Sequence, residues 1–233
     1  MVLTSHNPQD IPNDKLSFLG KYFAFLLHEM ANPLAAAETF AFRLQCLLSP
    51  HGPPEAMDAL KQLQTQLAFL CETLHQIRIL AWENPKTLQS CLPGPGIEKA
   101  LAVLPKHDKL HLQTEGLLQL GPVQGEATQL GWVWKNLFEN ALRAMQGEGH
   151  LLIRAQSTPE QVFVFVEDSG PGVEEPLRAQ LFEPFVSGHA EGTGLGLALA
   201  KTILERHGGN LSLQQSRWGG SCFVVCLQRV FPL

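Results

Sequence analysis

Apolar residues in the first third of the chain recur at alternating spacings of three and four. Leu16, Phe23, Met30, Ala37 and Leu44 hold one position of this repeat, and Leu19, Leu26, Pro33, Phe40 and Leu47 the other. Such a repeat predicts a long helix with a coiled-coil-like seam, from about residue 14 to 48. Residues 49–54 are rich in proline and glycine and break the pattern; Pro54 can open a second helix, where its missing amide costs nothing. There Leu60, Leu63, Leu67, Leu70, Leu74, Ile77 and Ala81 repeat the spacing. The short connection predicts an antiparallel helical hairpin. Both helices also carry apolar residues off the seam (Phe25, Leu27, Phe42, Phe69, Ile79), so the expected closure is a homodimer, two hairpins forming a four-helix bundle.

From about residue 83 the pattern changes. Residues 83–96 hold three prolines and two glycines and are expected to be a linker. Beyond them the chain reads as a helix over 97–104, strands over 110–117 and from 123, a helix over 126–145, strands over 151–156 and 162–167, a helix over 194–207, and strands over 211–215 and 222–230. The strand over 162–167 is continuously apolar as far as Val166, as in a buried strand. Helices and strands mix without strict alternation, so the fold class is α+β: a helical hairpin followed by an α/β sandwich with helices on one face of a mixed sheet. The expected division is a tail over 1–13, the hairpin over 14–82, the linker over 83–96 and a second domain over 97–233.

Composition narrows the function classes. A net charge of -5 without a lysine-arginine run gives no reason to expect nucleic acid. The five cysteines are odd in number and lack CxxC spacing, which reads as reduced thiols in a cytoplasmic protein. No apolar run reaches membrane-spanning length, and the first 14 residues lack the pattern of a signal peptide.

The first helix places His28 opposite its seam, with Glu29 beside it and Asn32 one turn on, and Pro33 is expected to bend the helix just beyond. Asn136, Asn140 and Arg143 share one face of a later helix. By themselves they could be a solvated polar stripe, but two amides and a guanidinium can also offer an oxygen ligand to Mg²⁺ and donors to phosphate. Asp168 leaves a strand into Ser169-Gly170-Pro171-Gly172. This is either plain turn chemistry or a carboxylate placed to accept a hydrogen bond from a base amine. Gly192-Thr193-Gly194-Leu195-Gly196 feeds a helix N-terminus, where free amides favour an anion. Phe182 and Phe185 are expected to dock as apolar anchors, leaving a lid before Gly192.

Taken in order, these segments resemble the H-box and then the N, first G, F and second G boxes of sensor histidine kinases of two-component systems, over about residues 14–230. The resemblance implies a dimerising phosphotransfer hairpin joined to an ATP-binding domain of the Bergerat type. It implies His28 as phosphoacceptor with Glu29 as its base, and Asn32 as the residue that orients water for dephosphorylating a response-regulator receiver domain. It assigns Mg²⁺ to Asn140, the triphosphate to Asn136 and Arg143, the adenine amino group to Asp168 with Gly170 and Gly172 around it, and the phosphate loop to Gly192, Thr193, Gly194, Leu195 and Gly196. Sensory input would come from a separate partner. Three positions depart from the family pattern: Leu27 stands where serine is frequent, Ala31 where a basic residue is frequent, and His189 where glycine-rich lids often carry lysine. Two other functions share parts of the pattern. Gyrase-type and chaperone ATPases place a water-activating Glu four residues before the metal-binding Asn, where this chain has Asn136. A non-catalytic, nucleotide-binding dimeric scaffold would have no need of the His28-Glu29 pair.

Overall fold

The computed structural model describes residues 13–48, 52–81, 88–188 and 193–230, and for 13–29, 31 and 81 the backbone alone. The chain forms two compact units, divided between Glu83 and Asn84.

The first unit is the hairpin of α1 (Asn13–Leu48) and α2 (Pro54–Ala81). Gln64 donates to Gln45 at 3.0 Å, and the Cys71 thiol bonds Glu38. These partners run in opposite senses, so the helices are antiparallel. α1 continues through Pro33. Ala41, Leu60 and Leu67 are buried, with Leu34, Ala37 and Leu48 packed against them.

The packed face therefore differs from the expected seam. On α1 it takes Leu34, Ala37 and Ala41, while the seam residues Met30, Phe40, Leu44 and Leu47 are exposed. On α2 the seam divides, Leu60 and Leu67 facing α1 while Leu63 and Leu70 are exposed. A 3-4 repeat flanked by further apolar residues offers two faces, and the alanines permit the closer approach. Full burial of a leucine contributes about 1.5–3 kcal/mol, and among the described side chains of the hairpin only Ala41, Leu60, Leu67 and Ile79 are buried. A second apolar face is left uncovered.

The second unit is a two-layer sandwich. Its main sheet has the order β2-β4-β5-β7-β6, with β2 (Leu110–Glu115) parallel to β4 (Gly149–Ser157). The other pairs, among β5 (Gln161–Asp168), β7 (Ser221–Gln228) and β6 (Asn210–Gln215), are antiparallel. β5 is central, but its burial alternates. Val162, Val164 and Val166 are fully buried, and Phe163 and Phe165 are half-buried. The helices cover only one face, so alternate residues of even the central strand meet a thinner cover than the apolar run implied. That helical layer holds α3 (Pro93–Ala102), α4 (Ala127–Ala144) and α6 (Gly196–Arg206). α4 buries Leu130, Val133, Trp134, Leu137, Phe138, Ala141 and Leu142, one apolar stripe at helical spacing.

Residues 89–102 correct the expected linker. β1 (Gln89–Cys91) pairs with β3 (Val123–Gly125), and α3 starts at Pro93 instead of residue 97. Both prolines fall in the first turn, where the lost amide is harmless. Gly94 lies so near the Leu117 carbonyl that a Cβ would stand 3.1 Å from it. Glycine and proline here serve close packing as well as breakage.

His207 ties the two main helices together. It caps α6, is 2% exposed, and hydrogen-bonds the Ile203 carbonyl through Nδ1 at 2.7 Å. Its Nε2 accepts the Glu126 amide at 2.9 Å, at the residue that caps α4. The bond from the Glu126 amide needs the neutral ring, because Nε2 must keep its lone pair, whereas the Nδ1–H bond to Ile203 survives protonation. Burial pushes its pKa below the ordinary 6.5, opposed by the Ile203 bond and the nearby Glu126 carboxylate. The contribution of the buried neutral ring and its Glu126 bond is therefore complete above about pH 6.5 and is lost as pH falls towards the folded value, because the unfolded chain protonates first. His207→Gln should be destabilised by about 1–3 kcal/mol at pH 7.5 or so, and its denaturation midpoint should fall less than wild type's on acidification to about pH 5.5. Parallel pH profiles of the two proteins would remove the imidazole from this role.

Candidate functional site

The site is built along α4. Glu126 starts the helix, its carboxylate accepting the amides of Thr128 at 2.8 Å and Gln129 at 3.0 Å. Opposite the buried stripe, the half-buried Asn136 and Asn140 and the exposed Arg143 lie at i, i+4 and i+7. The Asn136 amide donates to the Trp132 carbonyl at 2.8 Å, and its oxygen faces α6, where a Cβ on Gly196 would approach to 2.6 Å. Gly196 thus lets the start of α6 lie directly on the Asn136 side chain.

Asp168 ends β5 and is 1% exposed. Its Oδ1 accepts two backbone amides, Gly170 at 2.9 Å and Ser221 at 3.1 Å, while Oδ2 is buried without a partner. Burial pushes its pKa above the ordinary 3.8, and the two amide bonds partly counter that shift. A buried carboxylate oxygen left unpaired costs roughly 1–3 kcal/mol or more. It is therefore poised for an external donor such as an exocyclic amine. Gly170 brings this turn onto α4, since a Cβ there would stand 3.2 Å from the Ala144 Cβ. Gly172 has φ +77° and packs against Gly219, so only glycine fits that bend without strain. α4 thus meets the Asp168 turn at its C-terminal end and the glycine loop at its middle.

The loop itself is described from Thr193. Gly192 lies outside the described residues, as do positions 189–191 of the expected lid. Gly194 has φ +67°, and a Cβ there would come within 2.7 Å of the Val186 nitrogen. The Leu195 amide donates to the Thr193 hydroxyl at 3.3 Å, its carbonyl accepts the Leu199 amide at 2.8 Å, and the residue is 1% exposed, so Leu195 anchors the loop in the core. α6 begins at Gly196, two residues later than expected.

The aromatic anchors separate. Phe182 is half-buried with the Lys201 ammonium 5.0 Å above its ring, and Leu181 beside it is buried. Phe185 is 72% exposed with φ +67° and docks by its backbone, its amide donating to the Gly194 carbonyl at 3.0 Å. A spacing of three places both rings on one side only within a continuous helix, and the chain here is a series of turns.

In the first unit, His28 and Glu29 lie within α1 and their side chains are outside the described residues; Asn32 is exposed on the same helix. Sequence reasoning missed Ser221, whose amide holds Asp168 from a distant strand. The only signal for it was Gly219-Gly220, taken as a strand connection.

Comparison with known proteins agrees with this geometry. Residues 125–230 match the model of the histidine kinase-, DNA gyrase B-, and HSP90-like ATPase family. The signal transduction histidine-protein kinase AtoS of Escherichia coli is 26% identical over 226 residues, covering 92% of this chain and 35% of AtoS. The sensory histidine kinase/phosphatase NtrB of Rhodobacter capsulatus is 38% identical over 225 residues, covering 87% of this chain and 60% of NtrB. The chain spans between about a third and two thirds of the length of these relatives. Among solved structures, full-length ShkA in complex with AMPPNP has the same fold at a TM-score of 0.75, with 22% identity over 91% of this chain and 47% of ShkA. The mycobacterial sensor histidine kinase MprB matches at 0.55, with 24% identity over 62% of this chain and all of that one. The hairpin, the sandwich and the order of the site segments thus agree with one another, and along both units the chain is similar to the core of sensor histidine kinases.

Proposed function

We propose that this chain is a two-component histidine kinase core that transfers the γ-phosphoryl group of ATP to His28 and onward to an aspartate of a response-regulator receiver domain. The observation that carries the reading is the buried, unpartnered Oδ2 of Asp168 beside the polar stripe of α4. Asp168 accepts the adenine amino group, and Gly170 and Gly172 allow the base to approach the backbone. Asn136 and Arg143, with the amides of the loop 192–196, take the triphosphate. Mg²⁺ suits Asn140, a neutral oxygen donor. Among the described residues no cluster of three acidic, histidine or cysteine side chains competes for a cation, as fits a metal held chiefly by phosphate oxygens and water. When bound, it neutralises phosphate charge in the transfer.

The transfer itself is in-line. One imidazole nitrogen of His28 bonds to the γ-phosphorus as the bridging oxygen leaves with ADP, and the ring's other N–H proton passes to Glu29. The uncovered apolar residues of the hairpin (Met30, Phe40, Leu47, Leu63 and Leu70 among them) support a homodimer closed as a four-helix bundle. No described helix is long and apolar enough to cross a membrane, and a cytoplasmic location fits that. On the same reading the hairpin over 14–82 is the phosphotransfer part.

His28→Gln should fold and bind ATP yet take up no label from γ-labelled ATP and Mg²⁺, whereas wild type gains an acid-labile, base-stable phosphate. Undiminished labelling of the variant would move the acceptor elsewhere.

Asp168 accepts an amine only as a carboxylate, and its pKa is raised. ATP affinity should therefore fall on acidification at a higher pH than an ordinary aspartate with pKa 3.8 would allow. Calorimetry across that range tests this, and an affinity that stays flat until the ordinary carboxylate range would contradict it.

Asn32 is exposed one turn beyond His28, where its amide can orient water at a docked receiver's phospho-aspartate. Asn32→Ala should keep autophosphorylation and forward transfer but dephosphorylate the purified phospho-regulator at least about tenfold more slowly, a loss on the scale of one catalytic hydrogen bond. Equal dephosphorylation by the two proteins would leave Asn32 a structural role.

A further inference from the structure

The end of β5 is gripped on both faces of the sheet. Asp168 points to the helical side, and Glu167, one residue earlier, to the other. Glu167 is 4% exposed, and its carboxylate takes a two-pronged bond from Arg217, Nε to Oε2 at 3.1 Å and Nη2 to Oε1 at 3.1 Å. The Arg154 guanidinium stands farther off, at 3.8 Å. Arg217 sits in the turn 216–220 between β6 and β7, closed by the Ser216 amide on the Gly220 carbonyl and the Gly219 amide on the Ser216 carbonyl, each 3.0 Å. The next residue is Ser221, whose amide holds Oδ1 of Asp168. Gly220 lies against the Asp168 carbonyl and carboxylate with no room for a Cβ. Trp218 braces the turn from the side, stacked on His150 with ring centroids 5.4 Å apart.

Resting on the reading of Asp168 as the adenine-contacting residue, we propose that Arg217 is a positioning residue for nucleotide specificity. Its fork on Glu167 fixes the turn that keeps the Ser221 amide on Oδ1 of Asp168, leaving Oδ2 as the acceptor for a 6-amino purine. The geometry requires a fork, because both carboxylate oxygens of Glu167 are used and the turn's orientation follows from that plane. The Arg217 side chain is half-exposed, and an ion pair with one solvated partner adds little to stability. Its effect should therefore appear in the orientation of Asp168 more than in unfolding.

The test uses the full chain and compares calorimetric affinities for ATP and for ITP, which carries a 6-oxo group in place of the amine. Arg217→Met should lower the ATP/ITP affinity ratio by about tenfold, chiefly through ATP, and Arg217→Lys should recover only part of it. The paired variant Glu167→Met with Arg217→Met removes the fork without stranding a buried carboxylate. It should show the same loss of ratio, and it keeps the test decisive if Arg217→Met folds poorly. In an Asp168→Ala background, Arg217→Met should change the ratio no further. A ratio unchanged in Asp168→Ala itself would overturn the adenine reading. A ratio that collapses in Asp168→Ala but is wild type in both fork variants would overturn the role of Arg217 alone, leaving the ion pair as a structural contact.

Discussion

One carboxylate constrains most of the second unit. Asp168 is buried and charged groups are costly to bury, so every element around it serves to limit that cost without removing it. Two backbone amides satisfy Oδ1, one from the turn that follows and one from β7, more than fifty residues later in the chain. For both amides to arrive, β5 must end beside the start of β7, which their antiparallel register provides, Glu167 opposite Cys222. The turn after Asp168 must also lie against the end of α4, which glycine at 170 allows. Folding therefore completes one half of a hydrogen-bonding site and leaves the other half, Oδ2, to a ligand.

Such a site was legible in sequence to the extent that its parts are local. Asn136, Asn140 and Arg143 share a face because helical spacing puts them there. Asp168 and the glycines after it announce a turn wherever the strand lies. The bounds of α4 and the places of the longer strands followed from apolar periodicity, whose period changes between helix and sheet, whereas β1 and the order of strands in the sheet did not. What was not legible is long-range. Ser221 contributes a backbone amide, which any residue but proline could donate, so its identity carries no signal. Phe185 looked like an anchor by residue type, yet its backbone docks and its ring is exposed. Residues 93–96 looked like breakers because proline and glycine have two opposite uses, ending a helix and beginning or packing one. Only the neighbours, the Leu117 carbonyl and Trp134, decide between them.

The hairpin presents the complementary lesson. A 3-4 repeat states that a helix has an apolar side but not which partner covers it. Within the chain, the alanines at 37 and 41 draw α2 onto one flank, and the larger residues on the other flank remain exposed. Phe40, 61% exposed, and Leu47, 82% exposed, form part of an apolar surface beyond what scattered surface residues explain. On the proposed reading the division is functional. The small-residue face makes each hairpin, and the large-residue face joins two of them, so a single sequence repeat encodes both a fold and an assembly.

The same economy separates transfer from hydrolysis. Within the wider nucleotide-binding family, hydrolysis needs a base near the metal-binding asparagine to activate water. Here the residue one turn before Asn140 is Asn136, an amide that cannot take a proton at neutral pH. Its nitrogen is already committed to the Trp132 carbonyl, and its oxygen is pressed against the start of α6. That contact makes Asn136 a strut between α4 and the glycine loop, in addition to the part in triphosphate binding proposed for it. On the proposed reading, a site built in this way binds a triphosphate without supplying the base for its hydrolysis. The nucleophile is then brought from elsewhere, and His28, with its own acid beside it in the sequence, meets that requirement.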